Sequence, residues 1–492
     1  MWTKQELSKL IQDKLSDYLF VSVSNREPYI HSFSGRKITW HIPASGLTVA
    51  LDPVMQACGG TWIAQGSGDA DREVVDELNK VRVPPDNPRY YLKRVWLTKE
   101  EEQGYYHGFS NEAFWPLCHI SYTKPVFEES QWLMYKKVNE IFAQNVLDEI
   151  GDKKAFVFIQ DYHLALLSEA IKRRNPESIT AQFWHIPWPN PEAFRICPWQ
   201  DEILRGLLGN DLMGFHIHYH CNNFLDTVDR AIEAKIDRSS YEITLAGKKT
   251  AVRHFPISVD FEQINADAQK KDVETEIERL KGRLGLDDEI IGVGMDRVDY
   301  TKGIPDRFRS IDLFLEKYPQ YLRRVVFIQA GVPSRTQVPA YRALKETIDN
   351  LVEEINWKYA FGRWKPIITL FDDEPQLTLM AMRRIAHFCI VSSLHDGMNL
   401  VAKEFVASRF DEDGVLILSS FTGSARELTD ALLINPYATD LFALTIKNAI
   451  EMSKPERHLR MKKMRDQVRE NNIYKWAADI ILELTNLKNK QD

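Results

Sequence analysis

Two carboxylates, Asp396 and Glu404, stand eight positions apart in the stretch SLHDGMNLVAKEF, residues 393–405. The first lies in a glycine-containing turn and the second in a run of helical character, so both can face one ligand across a helix N-terminus. Gly397 lets the backbone approach a ligand closely. The N–H groups of Met398, Asn399, Leu400 and Val401 are expected at the positive end of the helix dipole. Such an end holds a phosphate or diphosphate. The acid two turns into the helix would hydrogen-bond a ribose diol, which leaves Asp396 for a second polyol such as a sugar. The pattern predicts a nucleotide-sugar site.

A second motif, GMDRVDYTKG (294–303), presents Arg297 and Lys302 on the loop after an apolar run. When a glycosidic bond to a nucleoside diphosphate breaks, negative charge develops on the leaving oxygen. Fixed cations and helix-terminal N–H groups stabilise it without a metal. The competing reading pairs Arg297 with Asp296 or Asp299 in a solvated ion network. The GxG within IGVGMD lacks the third glycine and the helix opening of a dinucleotide fingerprint. In the first half, IQDYHL (159–164) and FWHIPWPNPEAF (183–194) each close an apolar run with a polar residue. Asp161 suits an acceptor hydroxyl, or a helix N-cap, and His185 a donor sugar or a developing charge.

These residues need elements to position them, and the chain alternates short apolar runs with amphipathic ones. Strands are predicted at 19–24, 155–160, 179–186 and 212–217, with helices at 161–175 and 199–208. After a break near 258 a fresh series follows at 290–295, 324–330, 366–371, 388–393 and 415–420. The fold class is α/β, with two Rossmann-like doubly wound domains whose ligands bind beyond the carboxyl ends of the strands, in the cleft between them. The expected boundaries are 1–258 for an acceptor-binding domain, 259–470 for a nucleotide-sugar-binding domain, and 471–492 for a C-terminal helix.

A chain of 492 residues with 44% hydrophobic and 27% charged content has material for two or three domain cores. Its net charge of −7 argues against a nucleic-acid partner. No run approaches the roughly 18 apolar residues that span a bilayer, and the N-terminal segment lacks the apolar core of a signal peptide. Five widely spaced cysteines without a CxxC pair suit reduced thiols, so the expected compartment is the cytoplasm. Residues 1–18 carry no motif; they would cap the first domain or mediate assembly of a homo-oligomer.

The motifs SNRxP, YYxxFSN, FWP, DYHL, HIPWP, DRVDYTKG and HDGMNLVAKEF, in this order, resemble the trehalose-6-phosphate synthase family of retaining glycosyltransferases over residues 19 to 480. The resemblance implies a UDP-glucose or GDP-glucose donor, glucose 6-phosphate as acceptor, and a C-terminal helix that returns to the first domain. It implies diphosphate contacts from Arg297 and Lys302, a ribose contact from Glu404, and glucose contacts from Asp396 and His185. Gly397, Met398, Asn399, Leu400, Val401 and Gly46 join the donor positions. Arg26, Tyr106, Trp115, Asp161 and Arg335 match acceptor positions. The family's same-face mechanism implies no protein nucleophile, no cofactor and no metal.

Departures from the family pattern fall on the acceptor side. ASGL (44–47) and GGTWIAQGSG (59–68) replace glycine-rich family stretches, Gln65 stands where an acceptor-contacting tryptophan is expected, and LCHISY (117–122) lacks an arginine. Two alternatives therefore stay open: a glucosylglycerol-phosphate synthase using glycerol 3-phosphate, and a non-catalytic sugar-phosphate sensor on the same fold. A polymerising transferase is disfavoured by Arg26 and Arg335. His216, His218 and His220, if alternating on one strand, are too close along it to surround a tetrahedral zinc. FDEDGV (410–415) reads as a loop rather than a phosphatase motif, and 461–472 as a solvated helix face.

Overall fold

The computed structural model describes residues 1–43 and 46–489, so Ala44 and Ser45 of the ASGL stretch lie outside the described residues. The chain divides into two compact units. The first runs to Ile257 and is completed by the segment from Ile473 onward; the second spans Ser258–Asn472.

The first unit is built on a ten-stranded sheet. Seven strands run parallel, in the spatial order Lys248–His254, Leu212–Phe215, Ile179–Phe183, Ala155–Gln160, Leu19–Arg26, Thr61–Gln65 and Tyr90–Val95. Antiparallel strands extend both edges: Lys235–Asp237 and Glu242–Leu245 on one side, Lys80–Val83 on the other. Helices cover both faces of parallel sheets, which explains why Ala155–Gln160 is buried at every position and reads as an unbroken apolar run. The helix Lys4–Leu15 opens with a Thr3/Glu6 capping box and buries Leu7, Ile11 and Leu15. It packs on the helices Gly46–Cys58 and Ile473–Asn489. The latter sets Trp476 against Phe158 and Phe183, with ring centroids 5.7 and 5.0 Å away, and joins Glu483 to Arg253 at 2.7 Å.

The second unit has a six-stranded, all-parallel sheet in the order Ile367–Leu370, Val325–Ala330, Ile290–Met295, Phe388–Val391, Val415–Ser419 and Leu432–Ile434. Successive strands step outward from Ile290–Met295 in one direction, then return to its other side at Phe388–Val391. The topological switch point lies between these two strands, where doubly wound sheets bind their ligands.

Several expected elements differ. The strands 179–186 and 212–217 stop at Phe183 and Phe215, because the HIPWP prolines and the start of the helix His218–Ala231 end the ladder. His218 and His220 are therefore helical, and the strand alternation read into the histidines does not form. The helix expected over 161–175 is a short 3-10 turn, Tyr162–Leu164, followed by Leu167–Arg174. Within 461–472, Met461, Met464, Arg465 and Val468 are buried rather than solvated, and Arg465 donates to the carbonyls of Val406 and Ala407. FDEDGV is a loop whose Asp411 and Asp413 bond Arg409 and Arg457. No helix among the described residues is long and apolar enough to cross a membrane.

Candidate active site

In the first unit, the carboxyl ends of four neighbouring parallel strands deliver Gln65, Arg26, Asp161 and His185 to one edge of the sheet. Arg26 pairs in register with Gln65, and Gln160 with Phe183. Arg26 donates from Nη2 to the Tyr106 hydroxyl at 2.9 Å. The Tyr106 ring stacks on His163 at 5.7 Å, and His163 Nδ1 lies 3.9 Å from Asp161 Oδ2. Asp161 Oδ1 accepts from the His185 backbone N–H at 3.2 Å. Arg26, Tyr106, Asp161 and His185 thus form one continuous cluster. His163, which links its two halves, was not singled out in the sequence although it belongs to DYHL.

Asp161 is held at φ +71°, ψ 178°, a region that only glycine visits at ease. Three contacts impose it: its N–H donates to the Phe183 carbonyl at 2.7 Å, its carbonyl accepts from Gln182 at 3.0 Å, and its carboxylate takes the His185 N–H. It does not make an N-cap hydrogen bond to the turn that follows. Such strain persists where the surroundings over-determine it, as at ligand-binding positions. Tyr106 itself sits in a π-helical segment, Gln103–Phe114, whose wider turn is marked by the Trp115 N–H reaching back to Ser110. Trp115 is buried, with its ring on His119 at 4.1 Å and near Tyr162 at 5.9 Å.

The His185 ring lies against Phe183, His216 and Trp476, and its Nε2–H donates to Gln160 Oε1 at 2.8 Å. Burial, with a smaller contribution from His163, pushes its pKa from 6.5 down to about 3. The ring is therefore a neutral hydrogen-bonding group at physiological pH. The folded pKa lies below the unfolded one, so its contribution to stability is complete above about pH 6.5 and is lost as the pH falls toward 3. The His185 imidazole resonances are expected to stay constant between pH 5 and 8 by NMR; a midpoint inside that range would overturn the neutral assignment.

In the second unit the switch point carries the other motifs. Lys302 ends the 3-10 turn Tyr300–Lys302, which Asp299 caps by accepting from the Thr301 N–H and hydroxyl at 3.0 and 2.9 Å. Gly303 follows at φ +61°, and a Cβ there would meet the Ser392 carbonyl at 2.4 Å. Ser392 in turn donates to the Lys302 and Gly303 carbonyls, each at 3.1 Å, and the Leu394 N–H bonds the Thr301 carbonyl at 2.7 Å. These contacts knit the loops after the two central strands together. They bring Lys302 Nζ to 2.6 Å from Asp396 Oδ2, which Ser393 and Asn399 also approach at 3.2 Å.

The two aspartates that the competing reading gave to Arg297 also face other cations. Asp296 pairs with the fully buried Arg307 at 2.7 Å, and Asp299 faces Arg335 at 3.5 Å and Tyr341 at 3.2 Å. Burial opposes ionisation of Asp299, but the charges of Arg335, Arg297 and Lys302 hold its pKa below the usual carboxylate value. Half-buried Arg297 thus adds its charge at Asp299, while Arg335, at φ +51°, sits in the second unit and bonds the Tyr341 hydroxyl. Of the positions matched to the acceptor, Arg335 therefore lies in the second unit, and Arg26, Tyr106, Trp115 and Asp161 in the first.

The helix begins at Leu400, not Met398, because Asn399 is its N-cap and accepts from the Ala402 N–H at 3.0 Å. The Asn399 N–H is taken by the Ser424 hydroxyl at 2.9 Å, so it does not point to a ligand as expected. Leu400 and Val401, the half-buried first helical residues, have no carbonyl one turn earlier to bond and form the positive pole. A Cβ at Gly423 would meet the Gly397 carbonyl at 2.0 Å, which fixes how closely these segments approach. Met398 is buried with its sulfur on Ser424. Glu404, one face further along, pairs with Arg383, a partner the sequence reading missed. Gly46 is the exposed first residue of its helix in the other unit. Among the described residues no group of three or more His, Cys, Asp or Glu side chains could hold a metal ion.

The arrangement meets known proteins over nearly its full length. A bifunctional trehalose-6-phosphate synthase/phosphatase of Thermoproteus tenax is 36% identical over 96% of this chain, which spans 64% of that protein. A UDP-forming α,α-trehalose-phosphate synthase from Burkholderia xenovorans, solved in complex with glucose-6-phosphate, is 27% identical with a TM-score of 0.84, covering 95% of this chain and 99% of its own. An E. coli structure described as trehalose-6-phosphate bound with UDP-2-fluoro glucose is 31% identical, also with a TM-score of 0.84, over 95% and 98%. The model of glycosyltransferase family 20 matches residues 18–486, and the chain belongs to that family.

Proposed function

We propose that this enzyme moves glucose from UDP-glucose to glucose 6-phosphate with retention of configuration, giving trehalose 6-phosphate and UDP. The observation that carries the reading is the switch point of the second unit. There Lys302, with Arg297 close by, shares one edge with the helix N-terminus at Leu400 and Val401. The names of the relatives support the same donor and acceptor, and they give no support to glycerol 3-phosphate or to a silent sensor.

The roles follow the chemistry. Arg297, Lys302 and the helix N–H groups would neutralise the diphosphate as the bond from the anomeric carbon to its oxygen breaks. The acceptor hydroxyl would bond that carbon from the same face and pass its proton to the departing phosphate oxygen, with no protein nucleophile and no metal. Glu404 would accept from the ribose; Asp396 and neutral His185 would hold the glucose hydroxyls. Arg26 and Tyr106 would bind the acceptor phosphate, Asp161 an acceptor hydroxyl, with Gln65, Trp115 and Arg335 as further acceptor positions. The enzyme would act in the cytoplasm, where its five free cysteines stay reduced.

Incubation with UDP-glucose or GDP-glucose and each acceptor tests this. UDP release is expected with glucose 6-phosphate, with a product that a phosphatase converts to trehalose. Turnover with glycerol 3-phosphate alone, or with neither acceptor, would overturn the proposal.

A further inference from the structure

A cavity of about 290 Å³ opens at the amino ends of the first unit's strands, on the edge of the sheet opposite Arg26 and Gln65. Leu19, which lines it, is seven positions from Arg26 on the same strand, a span of about 23 Å at the usual rise. Its lining includes Lys80, Arg82, Arg89 and Lys153, the Tyr91 ring and Glu149. Glu149 is already satisfied: it accepts from the Thr61 hydroxyl at 2.6 Å and from Lys80 at 2.7 Å, and Lys93 lies at 3.7 Å. Among the described residues Arg82, Arg89 and Lys153 have no carboxylate within ion-pair distance, and all three are exposed. In a chain of net charge −7, a pocket with three unneutralised cations is a local exception.

We propose that this pocket is a second, non-catalytic binding site for a phosphorylated sugar. Three unpaired cations, two of them arginines with planar donor forks, match a phosphate. Tyr91, 41% exposed and flanked by Lys80 at 4.7 Å and Arg82 at 5.7 Å, offers an apolar face on which a sugar ring can lie. The volume lies at the small end of ligand pockets, about 300–1,000 Å³, which favours a hexose phosphate over a nucleotide sugar. A nucleic acid or anionic membrane would require an extended basic surface, and the overall charge disfavours both.

Calorimetric titration with glucose 6-phosphate separates this site from the proposed acceptor site. Two molecules per chain are expected for the wild type, and one for each of Arg26→Ala and the double variant Arg82→Ala/Arg89→Ala. Each lost arginine is expected to weaken the second site by about tenfold or more. Turnover of the double variant at saturating substrate should be unchanged. One molecule in the wild type that is lost in the double variant but kept in Arg26→Ala would leave the pocket standing and sink the acceptor reading. One molecule lost only with Arg26, two retained in the double variant, or no binding at all would overturn the pocket.

Discussion

Lys302→Ala is expected to lower kcat by about 10²–10³-fold, the loss seen when one donor to a developing anion is removed. The loop should survive the change. Ser392 holds the Lys302 and Gly303 carbonyls, and Asp299 caps the turn through Thr301, so none of these contacts uses the lysine side chain. Asp396 loses its partner at 2.6 Å but keeps Ser393 and Asn399. The defect should therefore appear in kcat for UDP release, with the KM for glucose 6-phosphate little altered and the melting temperature near that of the wild type. Near-normal turnover would remove Lys302 from the leaving-group role.

Arg94→Met should instead act on stability, lowering it by about 3–5 kcal/mol, because it strands buried charges rather than a surface pair. Arg94 is fully buried. It bonds Glu27 at 2.8 Å and Asp71 at 2.7 Å, donates to the Tyr29 and Asp71 carbonyls at 3.0 Å, and meets His31 Nδ1 at 2.8 Å. One cation serves two carboxylates, and their affinities for protons split. Burial and Asp71 push the Glu27 pKa up against the pull of Arg94. Burial also opposes ionisation of Asp71, but hydrogen bonds with His31 and Glu27 and the Arg94 charge hold its pKa down. For a unit of this size the loss corresponds to roughly 10 °C in Tm. A thermal scan showing a shift of only a degree or two would mean that the carboxylates find other partners. Glu27 adjoins Arg26, so the same variant should also weaken acceptor binding.

Arg94 also marks where the sequence ceased to be legible. The strands that hold the second unit together, such as Ile290–Met295 and Val325–Ala330, are buried on both faces and announce themselves as apolar runs. Tyr90–Val95 is equally a strand, yet it contains Lys93 and Arg94 and no apolar run. Its charges are neutralised by Glu27, Asp71 and Glu149, residues 23 to 67 positions away along the chain, so no local window reveals it. The stretch GGTWIAQGSG (59–68) stands out in the sequence only as a departure from the family pattern; its Thr61–Gln65 is a strand beside Leu19–Arg26 and sets Gln65 next to Arg26. At the site, the loops carrying Lys302 and Asp396 could be read from glycine and strand-end chemistry. The Ser424 hydroxyl that takes the Asn399 N–H, and the Arg383 that pairs with Glu404, come from distant segments with no motif of their own. The π-helical turns around Tyr106 have no periodic signature either.

The helix Ile473–Asn489 gives the chain an order of assembly. During synthesis the strands from Leu19 to His254 emerge first, but Phe158 and Phe183 wait for Trp476, and Arg253 waits for Glu483. The whole second unit, Ser258–Asn472, leaves the ribosome in the interval and can fold on its own contacts. The unit whose strands are made first is thus completed only after the whole of the second has been made, so its last core contacts close across more than two hundred intervening residues.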